Sequence, residues 1–240
     1  PFMSPARNPM IKDNFGFSRV NWMQNITDDM FYTHLSIKRQ QFRFSMLAFN
    51  YGEQLETNNN GVVIGEFTPT SSVWSMSWGG KIKKYNVGAT AKLLSHDLYS
   101  QKTLGAVFDV ATYLPKVWRD LDVDVQLSNF GFAPKYNDFE TMLPTSLNIA
   151  MTYPYKQWMF YEQHNIFKKF HTMGGGVMYN YNNQLFGKGG YYVDKTHDLQ
   201  YLTFGVGMKY DKYLINMSYI YGKEDMPLNS TIRLTINLEL

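Results

Sequence analysis

Five histidines, His34, His96, His164, His171 and His197, are the natural carriers of acid–base or metal chemistry in this sequence, and they are dispersed along it. None falls in a ligand pattern such as H-E-x-x-H, so solvated histidines are expected and a metal site is not. The string "HDLYS" puts His96, Asp97 and Ser100 together. Adjacency does not make a nucleophile, base and orienting acid, because that chemistry depends on geometry. "NITDDM" offers Asp28 and Asp29 to a calcium ion, but two carboxylates are too few to bind one. "GGG" at 174–176 and "GKGG" at 187–190 lack the phosphate-loop pattern and its strand-to-helix setting. Neither catalysis nor a cofactor is expected.

The elements that carry these residues are strands. The closing segment "TIRLTINLEL" alternates without a break, with Ile232, Leu234, Ile236, Leu238 and Leu240 set against Arg233, Thr235, Asn237 and Glu239. Successive side chains of a strand face opposite ways, so this segment divides an apolar medium from a polar one. A soluble sandwich or a lipid-embedded barrel with a wet lumen both fit. "LDVDVQLS" favours the barrel, since Asp122 and Asp124 on the inner face of a dry core would be costly unless paired. The same alternation puts Lys92, Asp109, Lys209, Arg233 and Glu239 on the inner face.

Composition agrees. Charged residues make up 18% of the 240 positions, below the roughly 25% usual in soluble domains, while 17% are aromatic and the mean hydropathy is slightly negative. Only every second residue of a barrel strand meets lipid, which yields this mixture. No run approaches the roughly 18 apolar residues of a membrane-spanning helix. The absence of Cys rules out disulfides and Cys-ligated metals, and a scattered net charge of +3 gives no case for nucleic acid. The opening "PFMSPARNPM" has no charged and apolar leader, so a mature or trimmed exported chain is expected.

Alternation and turn signals predict fourteen strands, near 15–22, 30–38, 42–51, 71–80, 84–94, 103–113, 120–129, 145–153, 157–167, 172–181, 185–193, 200–210, 213–222 and 230–240. Connections after even-numbered strands are short ("RQQ", "KIK", "LPKVWR", "PYK", "NNQ", "DK"). Most of the others are long, including 52–70, "SHDLYSQK" and 129–144. That rhythm predicts an all-β, antiparallel transmembrane barrel with both termini periplasmic. The connection at 168–171 breaks it by being short. Trp22, Trp74, Trp78, Trp118 and Trp158, with Tyr51, Tyr113, Tyr153, Tyr181, Tyr210 and Tyr221, are expected near strand ends at the lipid headgroups.

Several strings carry a family resemblance: "ARNPM", "FGFSRVNWMQNITDDMFYTHLSIK", "FNYGE", "GEFTPTSSVWSMSWGGKI", "VGATAKLL", "VQLSNFGF" and "LPTSLNIAMTY". In order and spacing they resemble the PorV/PorQ family of Bacteroidota outer-membrane proteins, relatives of the FadL-type transporters. The closing 200–240 is similar to the C-terminal strands of PorV, and shorter loops leave PorQ or another paralogue open. Asn8 and Pro9 match the family's Asn-Pro-Ala segment with Met10 in place of Ala, while Trp22, Asp28 and Asp29 lie in the second string. The glycine-rich stretch that precedes that segment is missing, so residues 1–14 are expected to be the remnant of an N-terminal plug, with the barrel over 15–240.

The resemblance implies a FadL-like, fourteen-stranded barrel that serves type IX secretion without catalysis. Its partners would be the giant SprA-type translocon barrel, the C-terminal signal domains of cargo and the cell-surface attachment complex, within outer-membrane lipid. Partner recognition is expected from the long loops. One contributes Glu53, Glu56, Val62, Val63, Ile64, Glu66 and Phe67, and the other Phe132, Tyr136 and Phe139. A self-packed hairpin at 52–70 is the alternative. A FadL-like passage for hydrophobic molecules is the competing function, and it would need an apolar lumen.

Overall fold

The computed structural model describes residues 4–21, 30–98, 101–136, 139–223, 226 and 228–240. Its strands are β1 (Asn14–Asn21), β2 (Met30–Arg39), β3 (Phe42–Tyr51), β4 (Gln54–Thr57), β5 (Val63–Phe67), β6 (Thr70–Ile82), β7 (Tyr85–Leu98), β8 (Gln101–Trp118) and β9 (Leu121–Phe132). They continue with β10 (Lys135–Tyr136), β11 (Phe139–Glu140), β12 (Ser146–Tyr155), β13 (Trp158–Phe167), β14 (His171–Tyr181), β15 (Leu185–Asp194), β16 (Leu199–Tyr210), β17 (Tyr213–Gly222) and β18 (Ile232–Glu239). Fourteen of these close into one antiparallel barrel; β4–β5 and β10–β11 are separate two-stranded hairpins. Each expected strand is present in the wall. β18 closes the ring on β1 in the register Phe15↔Leu238, Phe17↔Ile236 and Ser18↔Thr235, which leaves the barrel wall without a free edge.

One end of the barrel has six tight links. Each carries a residue with positive φ: Gln40, Lys83, Arg119, Lys156, Asn182 with Asn183, and Asp211. The other end carries the long connections with three exceptions, one of them the four-residue turn 195–198 between β15 and β16. β7 and β8 stay paired up to Leu98↔Gln101, so "SHDLYSQK" is mostly ladder rather than the expected loop. β8 also absorbs "LPKVWR" through an irregularity between Leu114 and Trp118. The short connection after β13 is real, because Phe167 and Phe170 stack at 4.2 Å and the Phe167 amide donates to the Phe170 carbonyl. The long β6–β7–β8 ladder therefore stands taller than the rest of the wall.

The burial is inverted relative to a soluble protein. Ser18, Ser45, Ser75, Thr90, Lys92 and Asp109 are buried on the inner face, while Leu104, Phe204 and Val206 stand exposed on the outer one. Lipid covers that outer face in a membrane barrel. Around the tight-turn end, Phe42, Trp78, Tyr85, Trp118, Tyr155, Trp158, Tyr181, Tyr210 and Tyr213 form an exposed aromatic girdle, as an interfacial belt requires. Four expected members do not belong to it: Trp74 stands mid-strand on the outer face, Tyr113 is buried inside at 4% exposure, and Tyr51 and Tyr221 lie at the opposite, loop end. Trp22 lies outside the described residues.

Val206, 64% exposed in the middle of β16, tests the assignment of faces. Val206→Arg is expected to cost about 2–4 kcal/mol in urea unfolding from lipid vesicles, as a lipid-facing arginine does. Thr203→Arg, on the inner face of the same strand, should cost far less; equal losses would contradict the assignment.

Candidate functional site

The lumen is organised around the amino-terminal segment. Pro5–Met10 forms a 3-10 helix with Pro5 in its first turn, where a missing N–H costs nothing, and Ile11 returns to extended backbone. The helix lies inside the barrel near the tight-turn end, against β6, β7 and β8. Ala6 and Asn8 are fully buried there. Two glycines make room for it: a Cβ at Gly79 would come within 2.3 Å of the Pro5 carbonyl oxygen, and one at Gly88 within 2.4 Å of the Pro5 carbonyl carbon.

Arg7 holds the helix from its other side. Its Nε donates to Asp124 Oδ2 at 3.0 Å, and its guanidinium lies 5.1 Å from the Tyr113 ring centroid. The Tyr113 hydroxyl donates in turn to Asp122 Oδ2 at 2.6 Å. Both aspartates do face the lumen, but specific partners, more than bulk water, offset the cost of burying them. Arg7 was not singled out from the sequence, where a lone basic residue beside Asn8 and Pro9 carries no signal. Outside the strands, the Lys38 ammonium and the Gln40 amide hold the Asp13 carboxyl below the usual carboxylate range.

Above the helix, a cavity of about 1070 Å³ is lined by Arg7, Asp124, Gln126, Asn148, Gln163 and Lys188 among others. Lys92 Nζ donates to Asp109 Oδ1 and to Asn129 Oδ1 at 2.8 and 2.9 Å, while Gln126 and the Asn129 amide also donate to Asp109. At the loop end, Pro134 packs over Gly105 on the inner face of β8, and Pro144 lines the cavity. The segment after β9 thus folds partly inward. The chamber mixes charged and amide side chains with Met151, Phe167, Val177, Tyr191 and Tyr201, and its surface is more apolar than polar.

The histidines have separate roles. His96 Nδ1 lies 2.8 Å from Ser71 Oγ, and Asp97 pairs with Lys102, so "HDLYS" forms no relay between His96 and Asp97; Ser100 lies outside the described residues. His197 contacts Asp194 at 2.6 Å. His164 and His171, seven residues apart, are brought together across the β13–β14 hairpin at 3.1 Å with stacked rings, and His164 also reaches Glu162 at 2.8 Å. Among the described residues no group of three or more His, Asp or Glu is placed to hold a metal ion. The glycines of "GGG" and "GKGG" are wall residues of β14 and β15, paired as Gly176↔Gly190.

No family model matches the chain, and no curated protein does. Solved structures do. The toluene transporter TodX of Pseudomonas putida aligns with a TM-score of 0.59 and 12% identity over 98% of this chain and 90% of that one. The toluene transporter TbuX of Ralstonia pickettii aligns with a TM-score of 0.60 and 11% identity over 98% and 91%. The fold is that of the FadL-like outer-membrane barrels.

On this FadL-like barrel the candidate loop residues fall on two structures. Residues 52–70 contain the β4–β5 hairpin, with Leu55 paired to Glu66 and Glu56 to Gly65. Its turn is built on Asn58, whose side-chain oxygen accepts from the amides of Asn60 and Val62. Val62, Val63 and Ile64 are nonetheless 57%, 51% and 58% exposed, and Glu53 and Glu66 are exposed beside them. Phe67 is half-buried. The second structure differs from the expected free loop over 129–144, because Asn129–Phe132 continues β9 against β8. Phe132, 75% exposed, belongs to that wall, and Tyr136 pairs in register with Phe139 across β10–β11. Asn8 and Pro9 lie in the lumenal helix, away from both hairpins; Asp28 and Asp29 lie outside the described residues.

Proposed function

We propose that this chain is a non-enzymatic outer-membrane subunit of the type IX secretion system, of PorV or PorQ type. In this reading the tight turns and both termini face the periplasm, residues 1–14 plug the lumen, and the hairpins stand at the cell surface. There they engage a SprA-type translocon barrel, cargo signal domains or the attachment complex. The observation that carries the reading is the exposed apolar strip Val62–Val63–Ile64 on a hairpin ordered by Asn58. Such a strip on a surface loop is a site for a protein partner. The family resemblance and the helix-occupied lumen support the same role.

The test is a pull-down of tagged protein from mild-detergent outer membranes, comparing the native chain with Val63→Asp/Ile64→Asp. The native chain should retain a giant translocon barrel or attachment proteins near stoichiometry. The double variant, still folded by its heat-modifiable migration, should lose at least about tenfold, since exposed apolar anchors of this kind are worth 1–2 kcal/mol each. Equal recovery from both would refute the role of the hairpin.

The second reading is passage of a small molecule through the barrel. The similarity to two toluene transporters favours it, and the comparisons support it better than they support secretion. A lone barrel that co-purifies with a bound hydrophobic compound would establish it.

A further inference from the structure

A separate lumenal cavity of about 360 Å³ lies against β1–β3 and β16–β18, away from β6–β8 where the 3-10 helix rests. Its size is within the range of small-ligand pockets. Five cations line it, Lys12, Arg43, Lys209, Lys212 and Arg233, against a single carboxylate, Glu239. Glu239 is already engaged by Lys12 and lies 3.8 Å from Lys209. Among the described residues no carboxylate reaches ion-pair distance of Arg43, Lys212 or Arg233. The lumenal acids Asp109, Asp122 and Asp124 stand on the other wall, committed to Lys92, Tyr113 and Arg7. The lumen is therefore divided by charge, with one side neutralised and the other cationic.

The basic side is built in detail. Arg43 Nε is shielded from solvent and has no hydrogen-bond partner among the described residues. Arg233 Nε donates to Ser18 Oγ at 3.1 Å, and that hydroxyl also contacts Thr235 Oγ1 at 2.9 Å. The arginine is thereby braced while its terminal amino groups are left for another acceptor. Ser36 and Asn237 converge over Gly16, where a Cβ would meet Ser36 Oγ at 2.7 Å and Asn237 Oδ1 at 2.8 Å. A guanidinium whose shielded Nε has no acceptor is unfavourable unless an anion supplies one. The planar donor fork of arginine matches the oxygens of a phosphate group.

We propose that this pocket binds a small, soluble, polyvalent oxyanion of the phosphate class, gripped by Arg43 and Arg233 with Lys212 adding charge. The site is independent of the hairpins and holds under either reading of the barrel's function. The strands that form it also separate it from the bilayer, so a soluble anion and not a lipid headgroup is its occupant.

The test titrates inorganic pyrophosphate into the full chain, folded in neutral detergent at low salt, by calorimetry. Saturable one-site binding is expected, weakened at least tenfold in Arg43→Gln and in Arg233→Gln. Lys84→Gln, in a tight turn away from the pocket, should leave it unchanged. Vesicles of phosphatidylglycerol should not compete; competition would reassign the site to headgroups. As a check that needs no variant, pyrophosphate should raise the thermal midpoint of the native barrel above that in sodium chloride of equal ionic strength. No saturable binding, no such rise, or full binding by the folded Arg43→Gln and Arg233→Gln variants would overturn the proposal.

Discussion

Gly79→Val/Gly88→Val should expel the amino-terminal helix from the lumen and open the barrel. Both new side chains meet backbone atoms of Pro5 at 2.3–2.4 Å, and backbone cannot rotate aside as a flexible side chain can. Overpacking costs about 1–3 kcal/mol even where neighbours yield. Relief here requires moving the whole helix, because Pro5 and Pro9 stiffen it at both ends. Opposing the move are the buried Ala6 and the Arg7–Asp124 bond, a charged hydrogen bond worth about 1.5–3 kcal/mol. Two clashes against one such anchor should shift the closed-to-open ratio by at least about tenfold, which takes 1.4 kcal/mol. The measurement is planar-bilayer conductance, with heat-modifiable migration confirming that the barrel stays closed on itself. Arg7→Ala should shift the ratio in the same direction. Unchanged conductance in the glycine double variant would show that the helix does not occlude the lumen.

The second large effect concerns the pair Lys92–Asp109. Their side chains are 7% and 2% exposed and 2.6 Å apart, and Asn129 and Gln126 complete the network. Asp109→Ala deprives the shielded Lys92 ammonium of the Asp109 carboxylate, and Lys92→Met deprives that carboxylate of the ammonium. Either is expected to cost about 3–5 kcal/mol, the range seen when one partner of a buried pair is removed. Lys92→Met/Asp109→Leu removes both charges and should recover most of the loss, since an apolar pair of similar volume is often neutral. Urea unfolding from lipid vesicles measures all three. The solvent-exposed pair Lys102–Asp97, at the loop end of the same two strands, is the internal comparison; breaking it should cost at most about 1 kcal/mol. Additive single losses at Lys92 and Asp109 would mean that the two do not act as a pair.

Much of the architecture was readable in the residues. Fourteen strands follow from period-two alternation, and the inner set Lys92, Asp109, Asp122, Asp124, Lys209, Arg233 and Glu239 follows from the same parity. Where the reading went astray, local chemistry resembled a turn. "SHDLYSQK" is polar enough for a loop, yet its described residues, 95–98 and 101–102, stay in the ladder because β7 and β8 pair there. Tyr113 has the composition of a girdle residue, but its parity turns it inward to Asp122.

The candidate sites divide in the same way. The Asn58–Gly61 turn and the apolar strip beside it are local, and a short string of residues suffices to announce them. The seat of the 3-10 helix is not local: Arg7 meets Asp124 and Thr152 at separations of 117 and 145 residues. The basic pocket brings Ser18 to Arg233 across 215 residues. Alternation tells which side of a strand faces inward, because that depends only on backbone geometry within the strand. It cannot tell which inward residues meet across the lumen, because that depends on register and closure of the whole ring. Strand number and facing were therefore written in local pattern, while the seat of the lumenal helix, the paired acids and the basic pocket were decided only by the register and closure of the ring.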